Sequence, residues 1–151
     1  MVDLSEAQRG LVQRSRRAVL GTTSPNGRPR LVPVAFAVVE SASGPVFYSA
    51  LDEKPKSVSD PRDLARVRDI RDRPNVSLLV DEWHEDWSRL RWLRLDGTAT
   101  LLEPGSPDAR EHATALRALR DRYPQYADQR LESRPLLRIT VTRVATWSGA
   151  S

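Results

Sequence analysis

A chain of 151 residues, 39% of them hydrophobic, is long enough to bury a core as one domain, and the reading is a single domain over residues 1–151. It contains no cysteine, which excludes disulfides and thiolate chemistry, and no apolar run of membrane-crossing length. The net charge of +4 comes from 24 basic residues, of which only Lys54 and Lys56 are lysine. Pairs such as Arg62-Asp63, Arg68-Asp69 and Arg71-Asp72 mix the arginines with acids, as on a solvated helix face, so neither nucleic acid nor membrane is expected as a partner. The opening MVDLSEAQRG lacks the apolar core of a signal peptide, and a cytoplasmic location is the expectation.

In chain order, Asp3 and Glu6 have capping-box spacing, and Leu4, Ala7, Leu11 and Val12 recur at helical spacing, predicting a helix over about 4–17. Ala18 to Thr23 reads as a strand, followed by a hairpin turn at Ser24-Pro25-Asn26-Gly27, where Asn-Gly supplies positive φ angles. Arg28 to Val39 reads as one returning strand, apolar on both faces from Leu31 onward. Such a strand fits a barrel wall or a dimer interface, and Pro29 and Pro33 place it at an edge or a bulge. Pro45 to Ser49 is the next strand.

A charged loop with both lysines follows, then a helix over about 61–72 with Asp60 as its cap and Leu64 and Val67 on its apolar stripe. Strand, basic loop and helix start suit a phosphorylated ligand, because lysines and free backbone N–H groups meet there. On spacing alone, Lys54 and Lys56 read as ordinary exposed loop lysines sooner than as phosphate ligands. Asn75 to Asp81 reads as a buried strand, and EWHEDWSR over 82–89 as an acidic, aromatic loop. From Leu90 to Leu102, Leu93, Leu95, Gly97, Ala99 and Leu101 face one way, with Trp92, Arg94, Asp96, Thr98 and Thr100 opposite. A helix over about 107–122 and a last strand from Leu137 to Trp147 complete the count of six strands and three helices. Hairpin connections make the expected fold mainly β, a six-stranded antiparallel split barrel with peripheral helices.

The pieces GRPRLVPVAFAV, PVFYSALDEKPKS, RDRPNVSLLVD, RLRWLRLDGTATLL and VTRVATWSG, in that order, resemble the FMN-binding split-barrel proteins, the pyridoxamine-phosphate-oxidase-like superfamily, over roughly 14–148. DEKPKS, LVDEWHEDW and RWLRLDG look most like an actinobacterial branch assigned to the deazaflavin coenzyme F420. That resemblance implies an F420-dependent oxidoreductase acting on a small-molecule substrate, and a homodimer with the cofactor between protomers. It places Lys54, Pro55 and Lys56 at the cofactor's phosphate, and Tyr48 and Ser49 where the preceding strand touches the cofactor. Val32, Pro33 and Val34 match the strand along the ring. Arg91, Trp92 and Arg94 match the segment that reaches across to the partner's cofactor. FMN is the alternative cofactor, and a flavin, deazaflavin or haem carrier without turnover is the alternative function. Pro33, Val34 and Trp92 depart from the pyridoxamine phosphate oxidase pattern, where Trp92 replaces a glutamine, so oxidation of a vitamin B6 phosphate is not expected.

The cofactor carries the hydride chemistry, so no catalytic acid or base is required and none is assigned. His84 lies among Asp81, Glu82, Glu85 and Asp86, which read as solvated loop acids rather than a metal site. Trp83, Trp87 and Trp92 fit core or interface packing, or else the wall of an apolar pocket. Arg91 and Arg94 could meet an anionic cofactor tail, or pair with Asp96 and the acids of 81–86.

Overall fold

The structure is a computed structural model that describes residues 2–52 and 59–150; the expectations for Lys54, Pro55 and Lys56 lie outside the described residues. Among the described residues seven strands form one antiparallel sheet: β1 (Ala18–Thr23), β2 (Pro29–Val34), β3 (Ala37–Ser41), β4 (Gly44–Ala50), β5 (Asn75–Glu82), β6 (Arg91–Leu102) and β7 (Leu136–Ser148). Their spatial order is β2-β1-β5-β6-β7-β4-β3. The seventh strand arises because the single strand expected over residues 28–39 is two. It breaks at Ala35 and Phe36, and its halves form opposite edges of the sheet, β2 against β1 and β3 against β4.

The break is stable because side chains satisfy the backbone groups that leave the ladder. Ser49 Oγ donates to the Ala35 carbonyl at 2.7 Å, and the Phe36 N–H donates to the Tyr123 hydroxyl at 3.0 Å. The Phe36 ring is buried 5.8 Å from that of Phe47, which anchors the turn in the core. The result is a barrel split between two edges that are neighbours in sequence. Pro29 and Pro33 fall on edge strand β2, where a missing N–H costs no ladder bond.

The β6 alternation holds, with Leu93, Leu95, Gly97 and Ala99 buried. Gly97 sits at a register shift against β7, and a Cβ there would overlap the Thr140 carbonyl, so the bulge needs glycine. β5 differs from the fully buried strand expected. Val76, Leu78 and Val80 enter the core, while Leu79 faces out, because only one face of the sheet is covered here. In the first hairpin only Gly27 takes a positive φ, at 83°, and Asn26 does not. Pro25 presets the first turn position, so one left-handed residue closes the loop.

Helix α1 (Glu6–Arg14) starts at a capping box made by Ser5 and Gln8 rather than Asp3 and Glu6; Asp3 instead accepts from the Leu4 N–H. Asp60 caps as expected, accepting from the Arg62 N–H at 3.0 Å, but it caps a 3-10 turn (Pro61–Asp63). Leu64 is extended, and α2 (Ala65–Asp72) begins after it. Asp69 of α2 is buried, accepts from Thr22 Oγ1 at 2.9 Å and lies 3.1 Å from Arg30 Nε, tying the helix to β1 and β2. Helix α3 (Ala109–Arg122) packs Ala115, Leu116 and Leu119 against Tyr48 and Leu136, a second cluster behind the barrel. Among the described residues no helix is long and apolar enough to cross a membrane.

Replacing Tyr123 by Phe leaves the Phe36 N–H at the break without its partner. Denaturant unfolding should show a loss of about 1–2 kcal/mol with an unchanged m value. A midpoint equal to that of the parent would remove the hydroxyl from the account of the break.

Candidate functional site

The sheet face opposite the core is apolar and open over five strands. Strand register sets Val19 between Pro33 and Leu79, Leu79 beside Arg94, and Trp92 between Asp81 and Trp147. Leu31 is 72% exposed, Trp147 46% and Leu79 38%, a patch of the kind that marks a binding or association surface. A groove of about 540 Å³ runs over it, with Val19, Leu31, Leu79, Trp83, Trp92 and Trp147 in its lining. The β-strand alternation that buries Leu93 and Leu95 on one side puts Trp92 and Arg94 on this one.

All four tryptophans of the chain gather at one end of this face. Trp92 and Trp147 are cross-strand partners, and Trp83 lines the groove beside them. Trp87 is held near by Gly149, whose N–H donates to the Leu90 carbonyl at 2.8 Å. A Cβ on Gly149 would overlap the Trp87 carbonyl oxygen.

The charged rim is organised. Glu82 lies between Arg14, at 3.3 Å, and Arg91, at 3.2 Å. The Arg14 hydrogen bond, then the charges of Arg14 and Arg91, hold the Glu82 carboxyl below the usual carboxylate range. Arg94 pairs with Asp96 at 3.3 Å, and Asp96 also accepts from Ser77 Oγ at 2.6 Å. Arg91 Nε, although beside Glu82, is buried and makes no hydrogen bond. Among the described residues no group of His, Asp and Glu converges to hold a metal ion.

The other predicted site residues are placed differently. Pro33 shares the outer face, but Val34 lies in the core and Val32 packs against it. Tyr48 and Ser49 are buried on β4, which β7 separates from β6. The Tyr48 hydroxyl donates to Glu111 at 2.7 Å, and burial first, then Glu111, pushes its pKa up. One chain therefore brings together Pro33, Arg91, Trp92 and Arg94, and sets Val32, Val34, Tyr48 and Ser49 apart from them.

A polar cluster at the base of the lysine segment was not legible in the sequence. Buried Asp52 accepts from the Tyr126 hydroxyl at 2.7 Å. Arg134 donates to the Leu51 carbonyl at 2.5 Å and the Asp52 carbonyl at 2.9 Å, and His112 Nε2 lies 2.7 Å from the Arg134 carbonyl. These partners are 74 to 83 residues away from Leu51 and Asp52, beyond any local pattern.

The sequence pattern described as pyridoxamine 5'-phosphate oxidase matches residues 4–148. The chain belongs to that family. Its fold agrees with solved members of the split-barrel superfamily. The conserved hypothetical protein Rv2991 of Mycobacterium tuberculosis is 22% identical, with a TM-score of 0.73 over 97% of this chain and 86% of that one. HutZ, the heme storage protein of Vibrio cholerae, is 17% identical, with a TM-score of 0.67 over 97% and 95%. A FAD-binding protein of Mesorhizobium loti is 19% identical, with a TM-score of 0.61 over 95% and 92%. No curated protein matches the chain significantly. The fold of this split barrel is thus shared by flavin-binding and haem-storing proteins.

Because three of the four tryptophans, Trp83, Trp92 and Trp147, line the groove, tryptophan emission reports on it. Gly149→Ala should shift the emission spectrum and cost about 1–3 kcal/mol of stability, as Cβ displaces the Trp87 backbone. An unaltered spectrum and melting curve would mean that this contact does not hold the groove wall.

Proposed function

We propose that the protein is an F420-dependent oxidoreductase that works as a homodimer, with each deazaflavin held between two copies. The observation that carries this reading is the open apolar groove on the outer sheet face, walled by Trp92 and edged by Arg91 and Arg94. Its volume of about 540 Å³ lies in the range of small-molecule sites. Its apolar floor suits a planar ring, and Arg91, ion-paired with Glu82, and Arg94, ion-paired with Asp96, give it a polar edge. The segments DEKPKS, LVDEWHEDW and RWLRLDG, which resemble the F420 branch, select the deazaflavin over FMN.

When bound, the cofactor supplies hydride transfer to an electron-poor organic substrate. The chain's residues bind and orient. Trp92 and Trp147 cover the ring from water, Arg91 and Arg94 lie beside its polar edge, and Lys54 and Lys56 hold the phosphate. Tyr48 and Ser49 lie on β4, away from the groove, so the reading pairs the β4 end of one copy, which Lys54 and Lys56 follow in sequence, with the groove of the other. A second copy also covers Leu31, Leu79 and Trp147, whose exposure is otherwise costly.

A non-catalytic carrier is the second reading, favoured by the likeness to a heme storage protein and a FAD-binding protein. Haem iron requires an axial ligand, and of the two histidines His112 is buried against Arg134, leaving His84, next in sequence to the groove residue Trp83.

Titrating the protein with F420, FMN and haem separates these readings. F420 should bind, and reduced F420 should be consumed with an electron-poor acceptor; tight FMN or haem binding without F420 binding overturns the assignment. Lys56→Ala should weaken cofactor binding more than about tenfold, roughly 1.4 kcal/mol. Sedimentation should give a dimer, which Leu31→Glu converts to a monomer with weaker cofactor binding. A folded, monomeric parent that binds F420 fully would remove the shared site.

A further inference from the structure

We propose that the polar cavity adjoining the tryptophan groove is the substrate compartment, and that Asp96 with Arg94 selects a planar substrate bearing a primary carboxamide. The proposal rests on the reading that the groove holds the cofactor's ring, and it names what sits beside that ring.

A second cavity, of about 570 Å³, continues the outer sheet face past the groove. Gly21, Leu31, Ser77 and Arg94 line both, so the two adjoin. Their chemistry differs. Tryptophan, leucine and valine dominate the groove, whereas Asn75, Ser77, Asp96 and Thr142 bring amide, hydroxyl and carboxylate groups to the second cavity. Alternation along β1 buries Leu20 and Thr22 and leaves Gly21 on this face, at the boundary. Its φ is not positive, so the backbone does not demand glycine there. A Cβ would meet Leu31 Cδ2 at 3.3 Å and the Ser77 carbonyl oxygen at 3.7 Å, narrowing the boundary. Glycine inside a strand often marks a close approach of ligand to backbone.

Asp96 belongs to the bulge between β6 and β7, a device that re-aims side chains beside sites. Asp96 pairs with Arg143 and Gly97 with Val141, which skips Thr142, whose hydroxyl donates to the Asp96 carbonyl at 3.2 Å. The carboxylate is fixed through one oxygen. Oδ1 accepts from Ser77 Oγ at 2.6 Å and lies 3.3 Å from Arg94 Nε. Among the described residues Oδ2 accepts no hydrogen bond, and the Arg94 Nη groups donate none.

These groups define the ligand. The open carboxylate oxygen accepts and the guanidinium beside it donates, so an N–H and a carbonyl oxygen side by side satisfy both. A primary carboxamide offers that pair, and its second N–H is left for Ser77 Oγ, whose own proton goes to Asp96. A carboxylate would meet Asp96 with like charge, and an ammonium would meet Arg94 in the same way. Gly21, Ser77 and Asp96 form one row across β1, β5 and β6, about 10 Å from end to end. A ring lying over Gly21 therefore reaches Asp96 with an amide attached directly to it. The rival role is an ion pair that only steadies β6.

The test titrates the full chain with benzamide, N,N-dimethylbenzamide and methyl benzoate, first without cofactor and then with saturating F420. Tryptophan emission and ligand-observed NMR read the binding, and a melting curve checks the fold of each variant. Benzamide should bind at least tenfold tighter than either analogue, since both keep the carbonyl and lose the N–H donors. Asp96→Asn keeps an oxygen for Ser77 and Arg94 and turns an N–H toward the ligand. It should lose at least tenfold for benzamide, while methyl benzoate binds no worse than to the parent. Parent-like discrimination in folded Asp96→Asn overturns the proposal, as does a parent that binds the three probes alike. Competitive displacement of benzamide by F420 overturns the assignment to substrate, because the imide edge of the cofactor's ring carries the same donor and acceptor. If F420 binds the parent and benzamide does not, this inference fails and the cofactor reading stands. If benzamide binding needs Asp96 but neither F420 nor FMN binds, the carboxamide site stands and the cofactor reading falls.

Discussion

The break between β2 and β3 is the constraint on which the rest of the structure depends. Two residues, Ala35 and Phe36, carry the chain from one edge of the sheet to the other, so the barrel is split there. The exposed polar groups at that point are met by Ser49 from β4 and by Tyr123 from the end of α3. The Tyr123 hydroxyl in turn donates to the Arg16 carbonyl, and the Arg122 guanidinium stacks over the Phe36 ring at 4.8 Å. One turn thus joins the barrel, the second apolar cluster and the segment between α1 and β1. Helix α3 is a structural brace rather than a passive cover.

That arrangement separates two kinds of chemistry within one chain. The apolar face with its tryptophans belongs to β1, β5, β6 and the end of β7. The polar cluster of Asp52, Tyr126, Arg134 and Arg66 gathers at the exit of β4. A ligand with a flat apolar portion and an anionic portion needs both, and β7 lies between β6 and β4. In the proposed homodimer, pairing two copies would bring the two surfaces to one ligand.

Local patterns were legible where a local rule decides them. The alternation of β6, the Asp60 cap and the edge position of the prolines each follow from a few adjacent residues. The seventh strand was not, because residues 31–39 are uniformly apolar and the break depends on hydrogen bonds with Ser49 and Tyr123, 14 and 87 residues away. The cap of α1 was misplaced because Asp3–Glu6 and Ser5–Gln8 both have the spacing, and the structure uses the second. Arg91 and Arg94 were read with their alternatives open; cross-strand register sets Arg91 against Glu82, and Arg94 pairs with Asp96 two residues along the same strand.

The prolines of β2 restrict how copies of this molecule meet. Pro29, Leu31 and Pro33 alternate along the edge strand, and prolines are tolerated there where the missing N–H would point away from β1. Of the three donors that this phase would present to a visiting strand, two do not exist. An incoming chain therefore finds almost nothing to zip onto, and edge-to-edge growth of the sheet into fibrils is closed off. The same strand bears Leu31 on its flat side. A surface so sticky in one direction and so blunt in the other permits stacking and forbids extension, which lets the molecule keep an oily face without polymerising through its edge.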